Sequence, residues 1–294
     1  MHDRRLTPGE RLRAAIEAEQ PLQVVGAVNA YFAMLAERVG FQALYLSGAG
    51  VANHSLGLPD LGLTSLGDVL TDAARITGAV ELPLLVDIDT GWGHALTIDR
   101  AVKQLESVGV AGVQIEDQAG AKRCGHRPGK EVVESGEMVE RVRAAVAARR
   151  DPAFVVVART DALAMEGLAA AVDRAAAYAD AGADVIFAEA PESLDDLATF
   201  TKSLSVPVLA NITEFGITPL LTLAELREAG VGLALYPLSA ARAAARAAEA
   251  VYGAIRHDGD QAAVLHTMQT RDELYEVLDY MRYERAIDAV REEA

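Results

Sequence analysis

Between residues 22 and 236, short apolar runs alternate with longer stretches whose apolar residues recur at three- and four-residue intervals. The short runs, rich in Val, Ile and Leu, predict strands at 22–28, 43–46, 82–88, 112–115, 154–158, 185–188, 207–210 and 233–236. The stretches between them predict helices at 31–39, 66–77, 96–108, 136–148, 168–181, 193–203 and 222–229. Leu84-Leu85-Val86 and Val155-Val156-Val157 are continuous rather than alternating, which suits strands buried on both faces of a parallel sheet. Repeated strand–helix units predict the α/β class, and eight of them predict a closed (β/α)8 TIM barrel. An open, doubly wound sheet is the alternative, but no glycine-rich dinucleotide fingerprint follows the first strand. No long Pro-, Ser- or Gly-rich linker divides the chain, so residues 1–294 read as a single barrel domain.

The two ends add helices to this repeat. Leu12, Ala15 and Ile16 share a face of a segment at about 7–19, with Thr7-Pro8 as its start. After the eighth strand, Ser239 is a plausible N-cap for a helix running to about residue 255. His257-Asp258-Gly259-Asp260 breaks it, and Leu274, Val277, Leu278 and Met281 then form an apolar stripe at helical spacing. Residues 239–294 therefore read as a helical extension whose apolar face covers either its own barrel or another subunit.

Composition narrows the function classes. The chain has 294 residues, 51% of them hydrophobic, which is a core-forming composition. Its formal net charge of −16 makes nucleic acid and anionic membranes poor partners and would repel an anionic substrate, which then needs a local cationic cluster. A single cysteine forms no internal disulfide and suits a reducing, cytoplasmic compartment. The first nineteen residues lack the long apolar core of a signal peptide or membrane span.

That cysteine sits in Lys-Arg-Cys-Gly-His (122–126), among Gly120, Gly125, Pro128 and Gly129. Cationic neighbours favour the thiolate, and the glycines predict a loop. One reading is a solvated basic loop with an incidental cysteine; the other is a proton-transferring or nucleophilic thiol on a mobile lid. Elsewhere, polar residues recur at the C-terminal ends of the strands: Asn29, Tyr45, Ser47, Asp87, Asp89, Glu116, Asp117, Arg159, Thr160, Asp161, Glu189, Asn211, Thr213, Glu214 and Tyr236. In parallel barrels that rim carries the chemistry. Any one of these could instead cap a helix or join a salt bridge, but their recurrence points to a site. Asp87 and Asp89, two apart on a strand, point to one side, and Glu116 from the next strand joins them. Three converging carboxylates require protonation or a cation, and hard oxygen ligands without a His pair or Cys cluster suit magnesium or manganese rather than zinc. Lys122, Arg159 and His126 nearby suit a substrate with several carboxylates.

These residues resemble the signature of the isocitrate lyase and phosphoenolpyruvate mutase superfamily. The resemblance rests on residues 114–118 and 122–128 and extends through Tyr45-Leu46-Ser47-Gly48, Leu56-Gly57-Leu58-Pro59-Asp60, Asp87–Asp89, residues 158–162, 210–216 and 234–239, and Met268-Gln269-Thr270-Arg271, nearly the whole chain. The cysteine marks the lyase branch, since the mutase branch lacks it. Ala49, where many members have Gly, and His94 depart from the common pattern. The resemblance implies a (β/α)8 barrel, a magnesium-dependent carbon–carbon lyase, and a homotetramer whose C-terminal helices are exchanged between subunits. It implies that Asp87, Asp89 and Glu116 surround the metal directly or through water, with Asp60 in its outer shell. Ser47, Gly48, Gly125, His126, Arg159, Asn211 and Thr213 would hold substrate carboxylates, with Lys122 and Glu189 also in the substrate site. Cys124 would be the acid and Tyr45 a candidate base, while Phe187 and Leu235 would line the pocket that tells a methyl group from hydrogen.

The implied reaction cleaves a tricarboxylate, 2-methylisocitrate, into pyruvate and succinate through a succinate carbanion that Cys124 protonates. This is a step of propionate breakdown by the methylcitrate route. Isocitrate cleavage is an alternative, although isocitrate lyases usually carry a long insertion for which this chain has no room. Dimethylmalate cleavage and oxaloacetate decarboxylation are others, the latter disfavoured by the intact Cys-Gly-His. A non-catalytic dicarboxylate-binding barrel is the remote alternative.

Overall fold

The computed structural model describes residues 5–120, 122, 123, 125 and 129–292. Cys124 and His126 lie outside the described residues. The chain divides into two compact units, Met1–Ser239 and Ala240–Ala294.

In the first unit, β1 (Leu22–Gly26), β2 (Ala43–Leu46), β3 (Leu84–Asp87), β4 (Gly112–Glu116), β5 (Val155–Thr160), β6 (Val185–Ala188), β7 (Val208–Asn211) and β8 (Leu233–Tyr236) are all parallel. They follow one another in order around a closed barrel, with β8 paired to β1. Closure rules out the open-sheet alternative and leaves no strand edge. Apolar side chains on the two faces of each strand serve two cores. Leu44, Val86, Val113, Val156 and Ile186 face the surrounding helices. Tyr45, Leu85, Val157, Phe187, Leu209 and Leu235 fill the barrel interior. Leu12, Ala15 and Ile16 of the first helix, Pro8–Ala18, pack on this inner cluster as their shared face predicts. That helix starts with a capping box in which Thr7 and Glu10 satisfy each other's backbone N–H.

Several strands end later than the apolar runs do. β4, β5 and β7 extend through Glu116, Thr160 and Asn211 because these polar residues stay in the ladder, where Glu116 pairs with Arg159 and Asn211 with Leu235. Site residues thereby take the rigidity of the sheet instead of sitting on loops.

The second unit contains most of the helix Ser239–Asp258, a short 3-10 turn and the helices Arg271–Leu278 and Tyr280–Glu292. Ser239 is the first helical residue rather than its cap, and its hydroxyl pairs with Glu214. The predicted stripe from Leu274 to Met281 is split by Asp279, whose left-handed φ of 48° ends one helix before the next begins. Tyr275 and Tyr280 stack across that break with ring centroids 4.3 Å apart.

Candidate active site

The acidic cluster forms where β3 and β4 end. Asp87 closes β3 and accepts two backbone hydrogen bonds, from Gly48 N–H to Oδ2 at 3.0 Å and from Asp89 N–H to Oδ1 at 3.0 Å. Asp89 lies beyond the strand, so strand alternation is not what brings it beside Asp87. Ile88 turns into the helix-facing core, and Asp89 then adopts a left-handed φ of 49° that returns its carboxylate. Gly48 is required at this point, because a Cβ would stand 2.8 Å from Asp89 Oδ1 and 3.2 Å from Asp87 Oδ2.

The Lys122 ammonium is buried among these carboxylates. It pairs with Asp89, lies 3.2 Å from Asp60 Oδ1 and stands 3.7 Å from Asp87 Oδ2. Burial alone would lower its pKa, but Asp87, Asp89, Glu116 and Asp60 outweigh that and hold the ammonium protonated well above the usual lysine range. Its charge therefore serves the acidic cluster.

Glu116 is fully buried, and neither of its carboxylate oxygens has a hydrogen-bond partner. Burial pushes its pKa well up, opposed by Arg159 and Lys122. An orphaned buried carboxylate beside three aspartates that share one ammonium has the donor chemistry of a hard-cation site. Among the described residues, no three His, Cys, Asp or Glu side chains form a ready ligand set.

Arg159, on the neighbouring strand β5, borders the acidic cluster directly. Its Nε and Nη2 fork onto Asp161 at 2.8 and 3.1 Å, Nη2 lies 3.3 Å from Glu189, and Nε lies 3.5 Å from Glu116. The guanidinium stacks over the Phe187 ring at 5.1 Å. Burial would raise the Asp161 pKa, but Arg159 and then Lys130 overcome it and hold the carboxyl at about 2. Asn211 and Thr213 are buried at the end of β7, Ser47 is buried after β2, and Leu235 closes the inner cluster with Phe187. Gly125 lies against Arg159 and Glu189, where a Cβ would fall 1.8 Å from Glu189 Oε1.

Tyr45 is buried at the floor and donates its phenolic proton to Gln114 Oε1 at 2.7 Å. Burial, then the charge of Asp87, raises its pKa well above the usual value. Gln114 had no assigned role in the sequence, although a polar residue inside an otherwise apolar strand was the available signal. Asp161, one of the rim residues, and Lys130, which the sequence does not single out, form a buried ion pair here at 2.7 Å. Other strand-end residues prove structural. Asn29 caps the following helix, and Asp117 accepts from Thr160 Oγ1, Asp161 N–H and Tyr178 Oη at 2.7, 2.9 and 3.0 Å.

The cluster carries a pH prediction. Burial, opposed by Lys122, raises Asp89 to about 6. Between about pH 4 and that value the folded protein keeps a proton that the unfolded chain has released, so the metal-free fold loses stability as pH rises through this window. Asparagine tolerates the left-handed backbone and carries no charge. The metal-free melting midpoint of Asp89→Asn relative to wild type should therefore shift upward from about pH 5 to about pH 7. A constant difference across that range would contradict this.

A closed parallel barrel whose C-terminal rim gathers buried carboxylates around a lysine and an arginine defines the class of (β/α)8 enzymes with an acidic rim site. The chain belongs to the phosphoenolpyruvate phosphomutase family, whose sequence profile matches residues 12–256. A 2-methylisocitrate lyase of Salmonella typhimurium is 58% identical to it over 285 residues, covering 97% of each chain. The crystal structure of 2,3-dimethylmalate lyase, a member of the PEP mutase/isocitrate lyase superfamily, aligns with a TM-score of 0.89 at 34% identity, covering 97% of this chain and 96% of that one. A phosphonopyruvate hydrolase complexed with oxalate and Mg++ aligns with a TM-score of 0.84 at 32% identity, covering 97% and 99%.

Proposed function

We propose that this chain is a magnesium-dependent carbon–carbon lyase that cleaves 2-methylisocitrate to pyruvate and succinate. The observation that carries this reading is the buried Glu116 carboxylate without a hydrogen-bond partner, set between the Asp60–Asp87–Asp89 cluster and Arg159. The high identity to a 2-methylisocitrate lyase over nearly the full chain supports the choice of substrate.

Asp87, Asp89 and Glu116, with Asp60 further out, would hold magnesium, or manganese in its place, directly or through water. Once bound, the ion supplies a Lewis acid for the hydroxyl and carboxylate of the pyruvate-forming half. Ser47, Gly48, Gly125, His126, Arg159, Asn211 and Thr213 hold the substrate carboxylates, and Glu189 orients Arg159. As the hydroxyl gives its proton to solvent water, the bond from the carbinol carbon to its neighbour breaks and the electron pair stays on the succinate-forming carbon. Arg159 and His126 stabilise the resulting enediolate-like charge, and Cys124 delivers a proton to that carbon. Phe187 and Leu235 form the apolar wall for the substrate methyl.

Tyr45 acts in this scheme as a neutral donor and not as the base, because its proton is committed to Gln114. Tyr45→Phe should keep kcat within about tenfold of wild type, since loss of a general base costs about 10²- to 10⁴-fold. A thousandfold loss would return Tyr45 to the role of base.

The reading extends to a homotetramer in the reducing cytoplasm. Tyr252, Met281, Tyr283, Ile287 and Val290 are exposed in the C-terminal unit and support packing on another subunit. A light-scattering mass of one chain would overturn the tetramer. The lyase itself is tested by incubating the purified protein with 2-methylisocitrate and magnesium. Equal amounts of pyruvate and succinate should form, chelator should stop the reaction, and added magnesium should restore it; release unaffected by chelator would contradict the metal role.

A further inference from the structure

The segment between β4 and the helix Ser135–Ala148 is tied down from within its own stem. Ala119 N–H donates to the Glu131 carbonyl at 2.8 Å, Gln118 bridges to Val132, and Val133 N–H donates to the Asp117 carbonyl at 2.9 Å. Two stem side chains reach further. The Gln118 amide pairs with both backbone groups of Arg123, accepting from N–H at 2.8 Å and donating to the carbonyl at 2.9 Å. The Lys130 ammonium, buried with 3% of its side chain exposed, donates to the Gly125 carbonyl at 2.6 Å and to Asp161 Oδ1 at 2.7 Å. Asp161 in turn holds Arg159 through the two-bonded fork. Arg123 and Gly125 are the sequence neighbours of Cys124.

A buried lysine is stable only with its charge and donors partnered, and here one partner is a backbone carbonyl of the cysteine-bearing segment. We propose that Lys130 is a positioning residue that ties the backbone of Gly125, the sequence neighbour of Cys124, to Asp161 and through it to Arg159. Its catalytic consequence rests on the lyase reading above; the tie itself does not. Gly125 fits this role, because its missing Cβ lets the backbone reach Arg159 and Glu189.

The test uses the full chain and its single cysteine. Lys130→Met keeps the length and removes charge and donors; Lys130→Arg keeps both. Without substrate or metal, iodoacetamide should label Lys130→Met at least roughly tenfold faster than wild type, as a freed segment would. Lys130→Arg should fall between the two. With 2-methylisocitrate and magnesium, Lys130→Met should lose about 10- to 100-fold in kcat while KM and magnesium affinity stay within about threefold. Wild-type labelling in a folded Lys130→Met would overturn the tie. Parallel losses in KM, magnesium affinity and melting midpoint, with labelling unchanged, would also overturn it and leave an ordinary structural ion pair. If wild type released no pyruvate, the lyase reading would fail while the labelling result still decided the positioning claim.

Discussion

Asp87→Asn should lower metal-dependent turnover by about four orders of magnitude and remove magnesium binding measured by direct titration. Asp87 accepts from Gly48 and Asp89 N–H groups at once, so one carboxylate shapes both turns that border the cluster. Asparagine fills the same volume but replaces one oxygen by a donor. It must then face the Gly48 or the Asp89 N–H with an N–H of its own, and it removes one of the charges that would attract a divalent cation. The fold should persist, because Asp87 pairs with Gln114 at the end of β3, a strand laddered to both β2 and β4. Magnesium affinity unchanged from wild type would place the ion elsewhere.

The second large effect concerns Cys124. Cys124→Ala should reduce kcat by about 10²- to 10⁴-fold, the range for a lost general acid, while KM and magnesium affinity remain near wild type. Binding should survive because Arg159, Asn211, Thr213 and the acidic cluster belong to the strand ends and the turns beside them. In D2O with succinate, pyruvate and magnesium, wild type should wash deuterium into succinate, and the variant should lose that exchange by the same factor as kcat. Turnover close to wild type would remove Cys124 from proton delivery.

The first prediction leans on a residue that the sequence made visible, for a physical reason. Strands buried on both faces must be apolar until they reach the rim, so Asp87, Glu116, Arg159 and Asn211 stand out at the point where burial would otherwise forbid them. The parallel barrel was legible for the same reason. What was not legible depends on backbone conformation or on partners remote in sequence. Asp89 meets Asp87 through a left-handed turn that strand alternation does not foresee. The pairing of Lys122 with Asp60, Asp87 and Asp89 joins residues up to 62 positions apart and is not visible in the loop's own sequence. Nothing in the sequence singles out Lys130, because its partner Asp161 lies 31 residues away. Asp117 resembled a site carboxylate, yet Thr160 and Tyr178, 43 and 61 residues on, make it a buried structural acceptor.

The most direct test of the central claim is a paired assay under identical conditions with magnesium. One arm follows pyruvate release from 2-methylisocitrate, the other glyoxylate release from isocitrate. A methyl group in an apolar pocket is worth about 1–3 kcal/mol, or about 10- to 200-fold. The methyl wall proposed for Phe187 and Leu235 therefore predicts kcat/KM for 2-methylisocitrate at least about tenfold above that for isocitrate. Equal or faster glyoxylate release would contradict that assignment and make isocitrate the substrate.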